Sequence, residues 1–148
     1  MEDIIWKIKS FEELNTSELY EILKVRQEVF IVEQTCYYQD ADDYDQKALH
    51  LWAEKEGRIV AYCRFFAPGI KYQESSIGRV LTHPNYRNLS LGKNLIYLAL
   101  TAIEKRFGTS ACRISAQDYL LKFYGSFGFK DTGKKYLEDD IPHTEMVK

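Results

Sequence analysis

The chain has 148 residues, 45% of them hydrophobic, and its 20 basic and 22 acidic side chains leave a net charge of −2. That is enough chain and apolar content for one domain spanning 1–148, and it excludes a disordered or low-complexity protein. The near-neutral balance offers no basic field to nucleic acid or an anionic membrane, and no apolar run approaches the roughly 20 residues that cross a bilayer, so neither is expected as a partner.

Residues 4–8 alternate around Trp6 and read as a first strand. Ser10 with Glu13, then Asn15 with Glu18, are helix-start signals. Leu19, Ile22, Leu23, Arg26, Val29 and Phe30 follow at three- and four-residue spacing and form one core-facing stripe. Arg26 interrupts that stripe and requires an anionic partner. Residues 31–47 form a long connection carrying Asp40, Asp42, Asp43 and Asp45. This cluster fails the calcium-loop template, because Tyr44 and Asp45 stand where a ligand and the required Gly belong and Leu51 replaces the bidentate Glu, so no metal is expected. It reads as solvated charge or as an attraction for a cationic substrate.

Residues 48–54 and 58–66 are β-rich runs around the hairpin signal Lys55-Glu56-Gly57. Pro68-Gly69 opens a second connection to a strand at 76–82, which Pro84 closes. Leu91, Leu95, Leu98, Ala99, Ala102 and Ile103 mark a helix ending at Gly108. A short strand at 111–116 precedes Asp118, a candidate cap for a brief helix through Tyr124, and strands at 129–132 and 144–147 end the chain. This order predicts an α/β (α+β) sheet with one parallel switch. Cys36, Cys63 and Cys112 are odd in number and lack metal spacing, and residues 1–7 lack the pattern of a signal peptide, so reduced thiols in a cytoplasmic protein are expected.

The chemistry concentrates in Ser76–Lys93: strand, tight loop, helix start. The first N–H groups of a helix lack intrahelical partners and the aligned peptide dipoles favour an anion there. Gly92 permits close approach of backbone, Ser90 adds a hydroxyl, and Arg87 and Lys93 add positive charge, which together make a phosphate site. Neither the Walker pattern nor the dinucleotide fingerprint is present.

His83-Pro84-Asn85-Tyr86-Arg87-Asn88-Leu89-Ser90-Leu91-Gly92 resembles the pyrophosphate motif of the GNAT superfamily of N-acetyltransferases, with Ser90 where the family usually has its first Gly. Gln117, Tyr124 and Gly128-Phe129 match a second family segment, Gln standing for the usual Asn. Residues 25–34, the Tyr-rich acidic loop, His50-Leu51, residues 77–80 and Glu138–His143 resemble the ElaA-type branch, so the likeness covers nearly the whole chain.

The resemblance implies a mixed sheet of about seven strands with a V-shaped split between two parallel strands, flanked by about four helices. It implies acetyl-CoA as cofactor, with Val80, Leu81 and Thr82 along the pantetheine arm, residues 87–93 (Arg87, Asn88, Leu89, Ser90, Leu91, Gly92, Lys93) at the pyrophosphate, and Gln117 and Tyr124 near the pantetheine and thioester. A backbone N–H of the strand would polarise the thioester carbonyl. Direct transfer to an amine requires the ammonium to lose a proton and the leaving thiolate to gain one. Tyr124 matches the family's general acid. Glu33, His50 and His143 are candidates for the base, a histidine titrating in the right range. Arg26, Arg64 and Arg79 form a buried ionic network or an anion-binding pocket, and Arg26, Glu33, Gln34, Tyr38, His50 and Arg79 are the expected contacts of the acceptor, a small-molecule or peptide amine. The chain is expected to act as monomer or homodimer. A catalytically weak acyl-CoA-binding or regulatory module is the competing expectation.

Overall fold

A computed structural model describes residues 3–148, except for the side chain of Asn88. Strand β1 (Ile5–Ser10) leads to helix α1 (Thr16–Arg26). The helix starts at a capping box: the Asn15 side chain accepts from the Glu18 N–H at 2.7 Å, and Glu18 accepts from the Asn15 N–H at 2.9 Å. It continues as a π-helical stretch, Gln27–Glu33. The β-branched residues Val29, Ile31 and Val32 crowd a regular α-turn, and the wider turn lets Val29 and Phe30 bury while Glu33 stays at the surface.

Strands β2 (Leu49–Lys55), β3 (Arg58–Phe66) and β4 (Ser76–Thr82) follow, and β1-β2-β3-β4 pair antiparallel in that order. Glu56 and Gly57, with φ of 54° and 74°, make the tight β2–β3 turn. Helix α2 (Leu91–Phe107) packs Leu95, Ile96, Ala99 and Ile103 into the core shared with β2 and β3, and ends at Gly108 with φ 67°. Strand β5 (Arg113–Gln117), helix α3 (Leu121–Gly125), strand β6 (Lys130–Glu138) and strand β7 (Ile141–Val147) complete the chain; β7 lies between β5 and β6. The structure thus has seven strands, as expected, but three α-helices among the described residues, the remainder of the helical turns being short 3-10 or π.

Two junctions place the site. β4 and β5 run parallel and join only at their beginnings, where Ser75 bridges Cys112 and the Arg113 N–H donates to Ser75 O at 2.9 Å. Beyond that point they diverge and open a split in the sheet. On its other side β4 carries a bulge: Tyr62 pairs with Leu81 and Arg64 with Gly78, so Cys63 alone opposes Arg79 and Val80, and Arg79 takes φ 51°.

Several sequence expectations are corrected. Asp118 does not cap the turn it starts; its carboxylate accepts from Thr144 Oγ1 at 2.6 Å. β6 runs to Glu138 rather than Thr132, because nearly all of its side chains are exposed and no apolar alternation marks them. Asp139 and Asp140, with φ of 52° and 63°, turn it into β7. Cys36 is buried despite its polar loop, its thiol donating to Asp139 O at 3.2 Å.

Candidate active site

A cleft of about 550 Å³ lies in the split, lined by Val80, Leu81 and Thr82 of β4, by Arg87, Ser90, Gly92 and Lys93, and by Gln117 and Tyr124. His83 follows β4 and its Nδ1 accepts from the Asn85 N–H at 3.2 Å, capping a 3-10 turn over Pro84–Leu89. Ser90 then takes the left-handed conformation, φ 56° and ψ 27°, and α2 begins at Leu91. The left-handed region is costly for a residue with a Cβ and free for Gly, by about 1–2 kcal/mol. Ser90→Gly is therefore expected to raise stability by about 0.5–1 kcal/mol once the extra chain entropy of Gly is offset. Denaturant midpoints check this, and a lower midpoint would show that Ser90 is not strained.

Gly92 has room for a Cβ, which would meet Phe123 Cζ at 3.6 Å and Thr82 Cγ2 at 3.8 Å. Both neighbours line the cleft, so anything longer than a methyl projects into it. The Leu91 side chain is buried in the core, so only its backbone N–H, at the first position of α2, is available to the cleft. Leu89 is partly exposed but does not line the cleft, and the side chain of Asn88 lies outside the described residues. Arg87 donates through Nε to Thr82 O at 3.2 Å and grips Glu33 with both terminal nitrogens, at 2.7 and 2.6 Å. The hydrogen bond from Arg87 lowers the Glu33 carboxyl below its ordinary range. Glu33, a candidate base in the sequence, thus lines the cleft as the ion-pair partner of Arg87.

A second cavity of about 380 Å³ opens behind the first, and Phe30, Gln34, Val80, Gln117, Leu120 and Tyr124 line both. Tyr124 is 5% exposed and held edge-on by Phe123 and Phe129, with ring centroids 5.2 and 6.0 Å away. Burial pushes its phenol well above the ordinary value, so it keeps its proton at neutral pH. His143, paired with Gln117 across β5 and β7, lines the second cavity. Its Nδ1 lies 2.7 Å from Ile141 O, which requires a proton there, and its Nε2 faces Glu138 at 3.2 Å. Glu138 was not singled out on its own in the sequence; its signal is the five-residue spacing to His143 across the Asp139-Asp140 turn.

Of the four aspartates of the acidic loop, Asp43 is exposed, while Asp40, Asp42 and Asp45 are engaged by arginines. Arg26 donates to Asp40 and Asp45 at 2.7 Å each, Arg64 to Asp42 at 2.8 Å and Asp45 at 2.9 Å, and Arg79 to Asp40 at 2.8 Å. This network ties the loop to α1, β3 and β4 and makes it a wall of the second cavity, where Tyr38 and Arg79 stand, Tyr38 donating its hydroxyl to Asp40 at 2.9 Å. Arg26 and His50 are fully buried and line neither cavity, so the structure removes both from contact with an acceptor. His50 is held by Tyr62 Oη at 2.7 Å and Asp45 O at 2.9 Å, and burial lowers it below its ordinary value, which leaves it neutral. Among the described residues no cluster of His, Cys, Asp or Glu has metal-binding geometry, and no helix is long and apolar enough to cross a membrane.

A split between parallel strands with a strand–loop–helix junction at its mouth is the architecture of one superfamily. The sequence model for the acetyltransferase (GNAT) domain matches residues 13–148. Protein ElaA of Escherichia coli is 34% identical over 147 residues, covering 98% of this chain and 96% of that protein. A UPF0039 protein of Schizosaccharomyces pombe is 38% identical over 148 residues, 99% of this chain and 97% of that one. Among solved structures, an acyl-CoA N-acyltransferase from Pseudomonas aeruginosa superposes with a TM-score of 0.93 at 38% identity, covering 99% of both chains. Escherichia coli ElaA gives 0.91 at 33% identity, again covering 99% of each. The chain belongs to the GNAT acetyltransferase family, in its ElaA-type branch. It is an acyltransferase.

Proposed function

We propose that the protein transfers an acetyl group from acetyl-CoA directly to a primary amine of a small molecule or short peptide. The observation that carries this reading is the meeting of two cavities at Val80, Gln117 and Tyr124, one lined by the phosphate-type loop and the other by ionisable side chains. Bound acetyl-CoA supplies the activated acyl group. Ser90, Gly92 and Lys93 take the pyrophosphate at the start of α2, with Arg87 once it leaves Glu33. Val80, Leu81 and Thr82 present the backbone of β4 to the pantetheine arm. The acceptor enters from the second cavity, and His143 Nε2 takes the proton that the ammonium gives up. The Glu138 carboxylate lies 3.2 Å from that nitrogen. Tyr124 protonates the leaving thiolate. Glu33 takes no part in proton transfer.

Thiol release with acetyl-CoA and a panel of primary amines tests the reaction. Turnover above the uncatalysed rate is expected; intact cofactor binding without it would leave the catalytically weak binding module as the correct description. Arg87→Ala combined with Gly92→Glu tests the cleft. It is expected to abolish CoA binding by calorimetry, through a lost charge and a carboxylate projecting into the phosphate site. Retained affinity would mean that the cofactor lies elsewhere.

A further inference from the structure

The second cavity is lined by ionisable groups of both signs: Arg64, Arg79, Lys71 and Asp42, together with Glu138, Asp139 and His143. The arginines are already matched, because Arg26, Arg64 and Arg79 share the carboxylates of Asp40, Asp42 and Asp45 and the block is neutral as a whole. Lys71 is the cation left over. Among the described residues its ammonium lies within salt-bridge distance of no carboxylate, and its one close partner is the ring of Tyr44, 4.1 Å from Nζ to the centroid. Tyr44 is itself braced edge-on against Phe66, with centroids 6.1 Å apart, so the ammonium is held at the cavity wall. Partial burial and the charge of Arg64 lower its pKa against the opposing charges of Asp42 and Glu138, while the residue as a whole remains exposed. Arg64 Nε is buried without an acceptor but is enclosed by protein, so it offers no donor to the cavity. A cavity lined by an ammonium without a carboxylate partner as well as by carboxylates does not suit a simple aliphatic amine or a polyamine.

We infer that the acceptor is an amino acid or a similarly small zwitterion, its amine directed to the His143–Glu138 wall and its carboxylate held by Lys71 beside Arg64 and Arg79. The inference deepens the proposed transferase reading and rests on it. A cavity of about 380 Å³ is at the small end of the range for ligand sites, which fits a molecule of this size rather than a folded protein surface. Lys71 is thereby a specificity-determining residue, remote from the reacting atoms.

Binding separates this inference from turnover. Acetylated products, from N-acetylglycine through N-acetyl-L-alanine to 6-acetamidohexanoate, are titrated by calorimetry into the CoA-loaded protein beside their primary amides. At least one carboxylate is expected to bind tenfold or more tightly than its amide. The preference should disappear in Lys71→Met and persist in Lys71→Arg, CoA affinity serving as the check that each variant is folded. Equal binding of every acid and its amide, or a preference that survives Lys71→Met, overturns the inference. The transferase reading fails by a different result, CoA binding without thiol release, so the two failures cannot be confused.

Discussion

Tyr124→Phe is expected to lower turnover by roughly 10²–10³-fold, the range of a lost general acid, while CoA affinity changes little. The substitution removes one oxygen from a side chain that is otherwise a core aromatic, wedged between Phe123 and Phe129. Packing is kept, so stability should move by about 1 kcal/mol or less. The phenol is suited to donation because burial keeps it protonated, and it stands where the two cavities meet. Loss of rate with unchanged KM for acetyl-CoA is the signature of an interaction made in the transition state. Single-turnover measurements at saturating cofactor provide the check; an unaltered rate removes Tyr124 from the chemistry and returns it to the core.

The largest effect on stability is expected at Arg26. Its guanidinium is wholly buried, and Arg26→Ala leaves Asp40 and Asp45 without their most enclosed partner. Removing one side of a buried ion pair costs about 3–5 kcal/mol, and the lower end applies because Arg64 and Arg79 remain beside those carboxylates. For a chain of this size that lowers Tm by roughly 10 °C, and the loop that walls the second cavity should loosen first. The same network sets the acid limit of the fold. Burial alone would raise the carboxyls of Asp42 and Asp45, but hydrogen bonds and charge from Arg64 and Arg26 outweigh it, and both are held below the ordinary carboxylate range. Depressed folded-state values contribute stability above the unfolded pKa, about 3.9, and that contribution is lost as pH falls from there toward the folded values. Urea midpoints should therefore fall as pH drops below about 4, and fall less in Arg26→Ala. A variant as stable as the wild type at pH 7 would refute a structural role for the pair.

The elements legible in the sequence were those with a local signal. The boundaries of β3 and β4, the capping box at Asn15 and the Gly108 stop all rest on contacts within a few residues, and the structure keeps them. The strand–loop–helix junction was readable for the same reason. What was not readable depends on distant partners. Asp40, Asp42 and Asp45 read as solvated charge or as an attraction for a cation because their counterions lie on α1, β3 and β4, up to 39 residues away in the chain. Glu33 read as a candidate base, and nothing local marks its pairing with Arg87, 54 residues away. Lys71 sits in a connection with no motif, and only the fold reveals it as the unmatched cation of its cavity.

The clasp between Glu33 and Arg87 gives the cleft an internal occupant. A carboxylate already rests on the arginine that the proposed reading assigns to the pyrophosphate, so loading the cleft is anion exchange rather than simple capture. Few mobile ions are released in such an exchange, and affinity should depend less on ionic strength than a phosphate grip ordinarily does. The displaced Glu33 belongs to the π-helical stretch that also places Val29 and Phe30 on the cleft wall. On the proposed reading, residue 33 competes with the pyrophosphate for Arg87 while standing apart from the groups assigned to proton transfer.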